Sequence, residues 1–366
     1  MIYFSAFILA VLISAVATGF LRRLGIKHNL VAVPRARDIH KTPIPRIGGG
    51  AIFLAFVLTS IIFFEIVKTD LSFGGLRGWL SLDWRFVGII VGSALVFSTI
   101  LFDDLRGLKV WQKLLIQFLA AVVVIASGIG IDTLSNPFGA PLNLNSLYIP
   151  LFTFQGITYH FSVWSDLLTL SWLMIMMNVM NLVDGVDGLA SGLSGIASIT
   201  IFLLCLTVSV NQPATALISI ILAGASIGFL FWNFPPAKIF MGDAGSMFLG
   251  FMLGVLPLIS GGKLATAFLV LGFPILDVFV VAIGRMLKGK NPLTTPDRTH
   301  LHHRFLEAGF SPREAVLTLY LVAIVSGWVA LRSSTAEKLA AAIMLVVLIV
   351  VLIIFLEKRK KSLSQR

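Results

Sequence analysis

Residues 181–188 read Asn-Leu-Val-Asp-Gly-Val-Asp-Gly, two carboxylates and two glycines set between long apolar runs at about 165–183 and 189–210. An acid at that depth is costly unless paired or wet, so the stretch points to a water-filled site, a bound cation, or both. The pattern recurs. Phe102-Asp103-Asp104 closes another apolar run, and Met241-Gly242-Asp243-Ala244-Gly245 opens one. Three acidic clusters at the ends of apolar segments predict a single site for a polyanion and a metal.

Composition sets the class around this site. The 366 residues are 57% hydrophobic and 12% charged, with mean hydropathy +0.97, whereas soluble globules carry about 25% charged residues. A helix rises about 1.5 Å per residue through a hydrocarbon core of about 30 Å, so each span takes roughly 20 apolar residues. The expectation is an all-α, polytopic membrane protein with a single membrane-embedded domain, 1–366. It has about eleven spans: 2–21, 48–67, 86–102, 114–131, 165–183, 189–210, 214–232, 245–260, 264–287, 315–332 and 338–356.

Basic residues orient these spans. With the N-terminus outside and the C-terminus cytoplasmic, the segments 22–47, 103–113, 184–188, 233–244, 285–314 and 357–366 hold 22 of the 28 Lys and Arg. Only six lie opposite: Lys68, Arg77, Arg85, Lys263, Arg332 and Lys338. That asymmetry obeys the positive-inside rule and puts all three acidic clusters on the cytoplasmic side. The net charge of +11 therefore reads as topology and attraction to anionic lipid, and nucleic acid is not expected as a partner. The first run lacks a basic leader and is followed by Arg22-Arg23, as in a retained first helix. Cys205 is the one cysteine, so there is no disulfide framework or cysteine metal site. The long outside segment, 132–164, carries turn residues and alternating Tyr148, Leu151, Phe152 and Phe154, which predicts a short strand hairpin. Gly188/Gly192, Gly224/Gly228 and Gly250/Gly254 have the spacing for close helix packing.

Each cluster has a chemistry. Adjacent Asp103 and Asp104 point about 100° apart on a helix, so both cannot face lipid; simple solvation at a helix end is the alternative. Asp184 and Asp187 share a face if the helix continues, and Asn181 joins it as a neutral oxygen ligand. Hard oxygen donors suit Mg²⁺ or Mn²⁺, with water and substrate phosphates completing the shell. Asp243, in a short turn between glycines, is a further candidate ligand. Lys41 and Lys113 sit nearest the acidic spans and are the candidate phosphate contacts, with Arg298 a third in the last loop. That loop reads Pro296-Asp297-Arg298-Thr299-His300-Leu301-His302-His303, where His300, His302 and His303 are either zinc ligands or donors to a sugar or diphosphate. Asp277 lies deep in the ninth span and suits support of the site.

Taken together, Asn181–Ala190, Phe102-Asp103-Asp104, Phe240-Met-Gly-Asp-Ala-Gly-Ser246 and the His-Leu-His-His loop resemble the signature set of polyprenyl-phosphate N-acetylhexosamine-1-phosphate transferases, of the glycosyltransferase 4 type. The Pro-Asp-Arg lead into the histidines resembles the undecaprenyl-phosphate GlcNAc-1-phosphate branch. The resemblance implies a bacterial inner-membrane enzyme whose undecaprenyl phosphate acceptor attacks the sugar-bearing phosphorus of UDP-N-acetylglucosamine and releases UMP, in membrane lipid, as a first step of cell-envelope polysaccharide synthesis. It implies Mg²⁺ on Asp243 with Asn181 or Asp184, Asp103 orienting or deprotonating the lipid phosphate, and Asp104 shaping the metal's field. Asp187 would face the nucleoside and the histidines the sugar phosphate. A homodimer is a further implication. Another UDP-N-acetylhexosamine, or UDP-MurNAc-pentapeptide, is the alternative donor. An ion-coupled transporter is the alternative class, disfavoured because the acids gather at one face and no repeat is evident.

Overall fold

The computed structural model describes residues 1–32, 42–66, 83–154, 157–287, 289 and 300–364. Its helices are α1 (Ile2–Lys27), α2 (Gly49–Ile66), α3 (Trp84–Arg106), α4 (Val110–Ala126), α5 (Val163–Val183), α6 (Leu189–Cys205), α7 (Pro213–Asn233), α8 (Gly242–Ile259), α9 (Leu264–Val270), α10 (Gly272–Leu287), α11 (Leu301–Glu307), α12 (Pro312–Arg332) and α13 (Thr335–Ser364). Three two-stranded antiparallel pairs accompany them: β1 (Val31–Ala32) with β2 (Ile44–Pro45), β3 (Thr133–Leu134) with β4 (Leu142–Asn143), and β5 (Tyr148–Phe154) with β6 (Ile157–Ser162). The last pair is the hairpin expected in 132–164.

Eight described helices are long and apolar enough to cross a membrane, or nine if α9 and α10 form one span. α4 and α6, each 17 residues, replace the longer spans expected at 114–131 and 189–210. The expected continuous span 264–287 is instead two helices meeting at 77°. α13 runs well past the expected end at 356, to Ser364.

Small residues decide which helices touch. Ala6, Ala10, Ser14 and Thr18 repeat every four residues along α1 and are fully buried. They meet α7 where Gly224 and Gly228 leave room for the backbone of Phe7 and Val11. The Ser14 hydroxyl donates to the Ala225 carbonyl at 2.6 Å, and the Trp232 indole donates to Ala15 at 3.0 Å. Gly250 and Gly254 do the same for α8 against Met176 and Leu173 of α5, where the Trp172 indole donates to the Gly254 carbonyl at 2.9 Å. Burying Phe248 and Phe251 completely puts α8 at the centre of the bundle. What holds them there is close packing against the neighbouring helices, because lipid is as apolar as the core.

The core therefore fixes the first turn of α8, and with it Asp243. α3 ends, α5 ends and α8 begins at one end of the bundle, while the β3–β6 hairpins lie between the other ends of α4 and α5.

Candidate active site

The segment leading from β2 into α2 is drawn onto α8 by backbone bonds. Gly48 and Gly49 donate to the carbonyls of Phe240 and Met241 at 2.9 and 2.8 Å, and Phe240 donates to Pro45 at 2.8 Å. A side chain at Gly49 would meet the Gly245 nitrogen at 2.6 Å, so α2 and α8 need glycine on both sides. This run delivers Arg46 and Thr42 to a cavity of about 600 Å³. Asp103, Asp104, Lys113, Asp184, Asp187, Asp243 and His303 line the same cavity.

Asp103 and Asp104 occupy the last turn of α3 and diverge as the helical period requires. Asp103 is buried; its carboxylate pairs with Lys113 and accepts the Leu108 N–H at 2.5 Å. Asp104 turns to α8, accepting the backbone N–H groups of Asp243 at 3.3 Å and Ala244 at 3.0 Å. Lys113 stands inside α4 and also reaches Asp243 at 3.5 Å. One lysine thus bridges two carboxylates from different helices.

The helix over 165–183 does not continue through the second cluster. α5 stops at Val183 and α6 starts at Leu189, so Asp184 and Asp187 share a turn and the cavity rather than one helical face. Gly188, the N-cap of α6, keeps the two helices from joining: its φ of +76° belongs to the left-handed region, where a side chain is strained. The Asp187 carboxylate accepts the Ala237 N–H at 2.9 Å. Asp184 makes no hydrogen bond or ion pair through its carboxylate among the described residues. Burial and the neighbouring carboxylates of Asp243, Asp187 and Asp104 push its pKa well above the usual range.

Asp243 also differs from its expected place. It lies in the first turn of α8 rather than in a turn before it, with its side chain 45% exposed to the cavity. The helix N-terminus favours a negative charge there. Asn181 is absent from the cavity lining; its amide donates to Ser246 at 3.0 Å and holds α5 to α8.

The histidines separate. His300 and His302 are buried. The His300 ring meets Asp277 at 2.9 Å, and His302 packs beside Gly185 with no partner for Nε2 in the described structure. Burial, then the neighbouring His303 and His300, depress the His302 pKa to about 3. Of the three, His303 alone lines the cavity. Lys41 and Arg298 lie outside the described residues.

Two residues not singled out in the sequence complete the site. Arg46 lines the cavity and lies close enough to act electrostatically on Asp104; its signal was a cation one residue removed from three glycines. Asn233 accepts from the Gly188 N–H at 2.9 Å and the Ser191 hydroxyl at 3.2 Å, and donates to Ile239 at 3.0 Å. It locks the acidic turn, and only its place at the end of an apolar run marked it.

No three His, Cys, Asp or Glu side chains form a ready metal cage among the described residues. Mg²⁺ does not require one, because it keeps several waters and takes one or two carboxylates plus substrate phosphates. Asp184, without a partner among the described residues, and half-exposed Asp243 line the same cavity and fit that donor set, and the crowding of like charges is what a divalent cation relieves.

The sequence model of glycosyl transferase family 4 matches residues 86–261. The chain is 33% identical over 338 residues to a probable undecaprenyl-phosphate N-acetylglucosaminyl 1-phosphate transferase of Bacillus subtilis (strain 168), covering 90% of this chain and 85% of that protein. It is 32% identical over 335 residues to the decaprenyl-phosphate N-acetylglucosaminephosphotransferase of Mycolicibacterium smegmatis, covering 85% and 77%. A phospho-N-acetylmuramoyl-pentapeptide-transferase of Oceanobacillus iheyensis is 27% identical over 327 residues, covering 87% and 93%.

Proposed function

The chain belongs to glycosyl transferase family 4, and from that premise we propose that it transfers N-acetylglucosamine-1-phosphate from UDP-N-acetylglucosamine to undecaprenyl phosphate at the cytoplasmic face of a bacterial inner membrane. The observation that carries this reading is the convergence of Asp103, Asp104, Asp184, Asp187 and Asp243 with Lys113 and Arg46 on one cavity at the ends of membrane helices. The two relatives with the higher identities are both named for N-acetylglucosamine-phosphate transfer.

The substrates demand such a site. The acceptor's tail stays in lipid while the nucleotide sugar arrives from water, so the reacting phosphates meet at a helix end. An oxygen of the lipid phosphate forms a bond to the sugar-bearing phosphorus, the bond to the bridging oxygen breaks, and UMP leaves. A phosphate is already a nucleophile at neutral pH, so direct attack needs no enzyme-bound intermediate. Lys113 and Arg46 offset the repulsion between two polyanions. Asp103, held by Lys113 and the Leu108 amide, orients the acceptor phosphate. Asp184 and Asp243 hold Mg²⁺, which when bound supplies charge neutralisation at the donor diphosphate. Asp187 would face the nucleoside and His303 the sugar phosphate, both from the lining of this cavity.

The test is UMP release by purified protein. UDP-N-acetylglucosamine, undecaprenyl phosphate and Mg²⁺ should together give UMP and a lipid-linked product; omission of the lipid phosphate should abolish release. Equal or faster transfer from UDP-MurNAc-pentapeptide overturns the donor assignment.

A further inference from the structure

α11 has only seven residues, Leu301–Glu307, and a helix that short is not stable by itself. Whatever grips it sets its orientation. At its start His300 is the N-cap residue but makes no side-chain cap. The Asp277 carboxylate takes that place from another helix. Oδ1 accepts the Leu301 N–H at 2.8 Å, and Oδ2 meets His300 Nδ1 at 2.9 Å.

Asp277 and His300 are each 6% exposed, so both groups are desolvated. A buried acid in a membrane helix is expensive unless partnered, and here both partners belong to the start of one short helix. Asp277 does not line the cavity. It sits in α10, just beyond the 77° bend that separates α9 from α10. The bend thus carries a carboxylate to α11, and His303, two residues after Leu301, is the side chain of α11 that lines the cavity.

We infer that Asp277 is a positioning residue for transfer: it fixes α11 through His300 and Leu301 so that His303 stands at the edge of the cavity. The kinetic consequence rests on the donor reading above; the structural consequence does not.

Both are tested in the purified full-length protein. In Asp277→Ala, amide exchange over 301–307 should accelerate by about tenfold or more while α7 and α8 stay protected. Asp277→Asn keeps an acceptor for the Leu301 N–H and should recover most of that protection. Turnover of UDP-N-acetylglucosamine (kcat/KM) should fall by about tenfold or more in Asp277→Ala and in His303→Ala, yet the double variant should be no worse than His303→Ala alone, because both act through one side chain. Where Asp277→Ala does not fold, His300→Ala cuts the same tie and should loosen the same amides. Unchanged exchange over 301–307 in the folded variants, or losses that multiply in the double variant, overturns the proposal. A wild-type protein inert toward UDP-N-acetylglucosamine overturns the donor reading instead, and the exchange experiment still decides the role of Asp277.

Discussion

The Asp104 carboxylate accepts the backbone N–H of Asp243 at 3.3 Å, so the last turn of one membrane helix caps the first turn of another. The first N–H groups of a helix lack internal partners, and Met241, the N-cap of α8, supplies no side-chain acceptor. Gly242 makes the approach possible, with φ +75° and room for Asp104 only 2.9 Å from where a side chain would begin. The placement of Asp243 in the cavity therefore depends on its neighbour in α3.

Removing that cap should have two effects that separate by substitution. Asp104→Ala should lower stability by about 0.5–2 kcal/mol, the usual cost of losing a cap. Asp104→Asn, which retains an acceptor oxygen, should keep most of the stability. Unfolding midpoints in detergent check this; equal midpoints for Asp104→Ala and wild type would show that α8 holds its first turn unaided.

Lys113 should matter to stability through Asp103 rather than Asp243. Removing one partner of a buried pair costs about 3–5 kcal/mol, and with the Lys113 side chain 26% exposed the loss should sit at or below the lower end. The pair with Asp243 is half exposed and should contribute about 0–1 kcal/mol. Lys113→Ala should thus destabilise, Asp103→Asn in the same chain should restore much of the loss, and Asp243→Asn should leave the midpoint near wild type. Restoration by Asp243→Asn in place of Asp103→Asn would reverse the assignment.

Asp243→Asn should nevertheless damage transfer. It keeps the shape of the side chain and removes one negative charge from the donor set proposed for Asp243 and Asp184. Turnover should fall at least about tenfold, equivalent to about 1.4 kcal/mol of transition-state stabilisation, and the Mg²⁺ concentration for half-maximal rate should rise. Wild-type rate and Mg²⁺ dependence together would reduce Asp243 to a helix-start residue.

Apolar runs made the helices legible, and acidic residues at their ends made the cavity legible. Asp103, Asp104, Asp184, Asp187 and Asp243 were all visible as charges with no reason to be near lipid, and the structure brings them together. What composition did not carry was direction. Asn181 and His300 have the right chemistry but spend it on Ser246 and Asp277, partners 65 and 23 residues away that no local pattern reveals. The bend between α9 and α10 was hidden because both helices are apolar and a hydropathy run has no angle. Arg46 was one cation among several in a basic loop until the pairing of Gly48 and Gly49 with 240–241 picked it out.

His302 gives a pH signature in stability. Its pKa of about 3 in the folded protein lies below the unfolded value of about 6.5. Between these values the unfolded chain binds the proton and the folded chain does not, so stability falls as pH drops through that window. At pH 5 the difference amounts to about 2 kcal/mol. His302→Gln should flatten the dependence of the unfolding midpoint on pH between about 6.5 and 5 relative to wild type. An unchanged slope would mean that His302 takes up its proton in the folded state.

Sidedness underlies the proposed use of a cytoplasmic nucleotide sugar, and it rests on charge. Of 28 Lys and Arg, 22 fall in the segments assigned to the cytoplasm, an imbalance of the kind that sets orientation during insertion. The cavity opens at that same end, between the ends of α3 and α5 and the start of α8. Two exposed serines report the two faces: Ser146 before the β5–β6 hairpin and Ser362 near the end of α13. The native Cys205 is buried and should not compete for reagent. In intact cells a membrane-impermeant maleimide should label Ser146→Cys, and Ser362→Cys should react only once the membrane is opened. The reverse pattern would put the carboxylate cavity outside, away from any nucleotide sugar, and the transfer reading would fall with it.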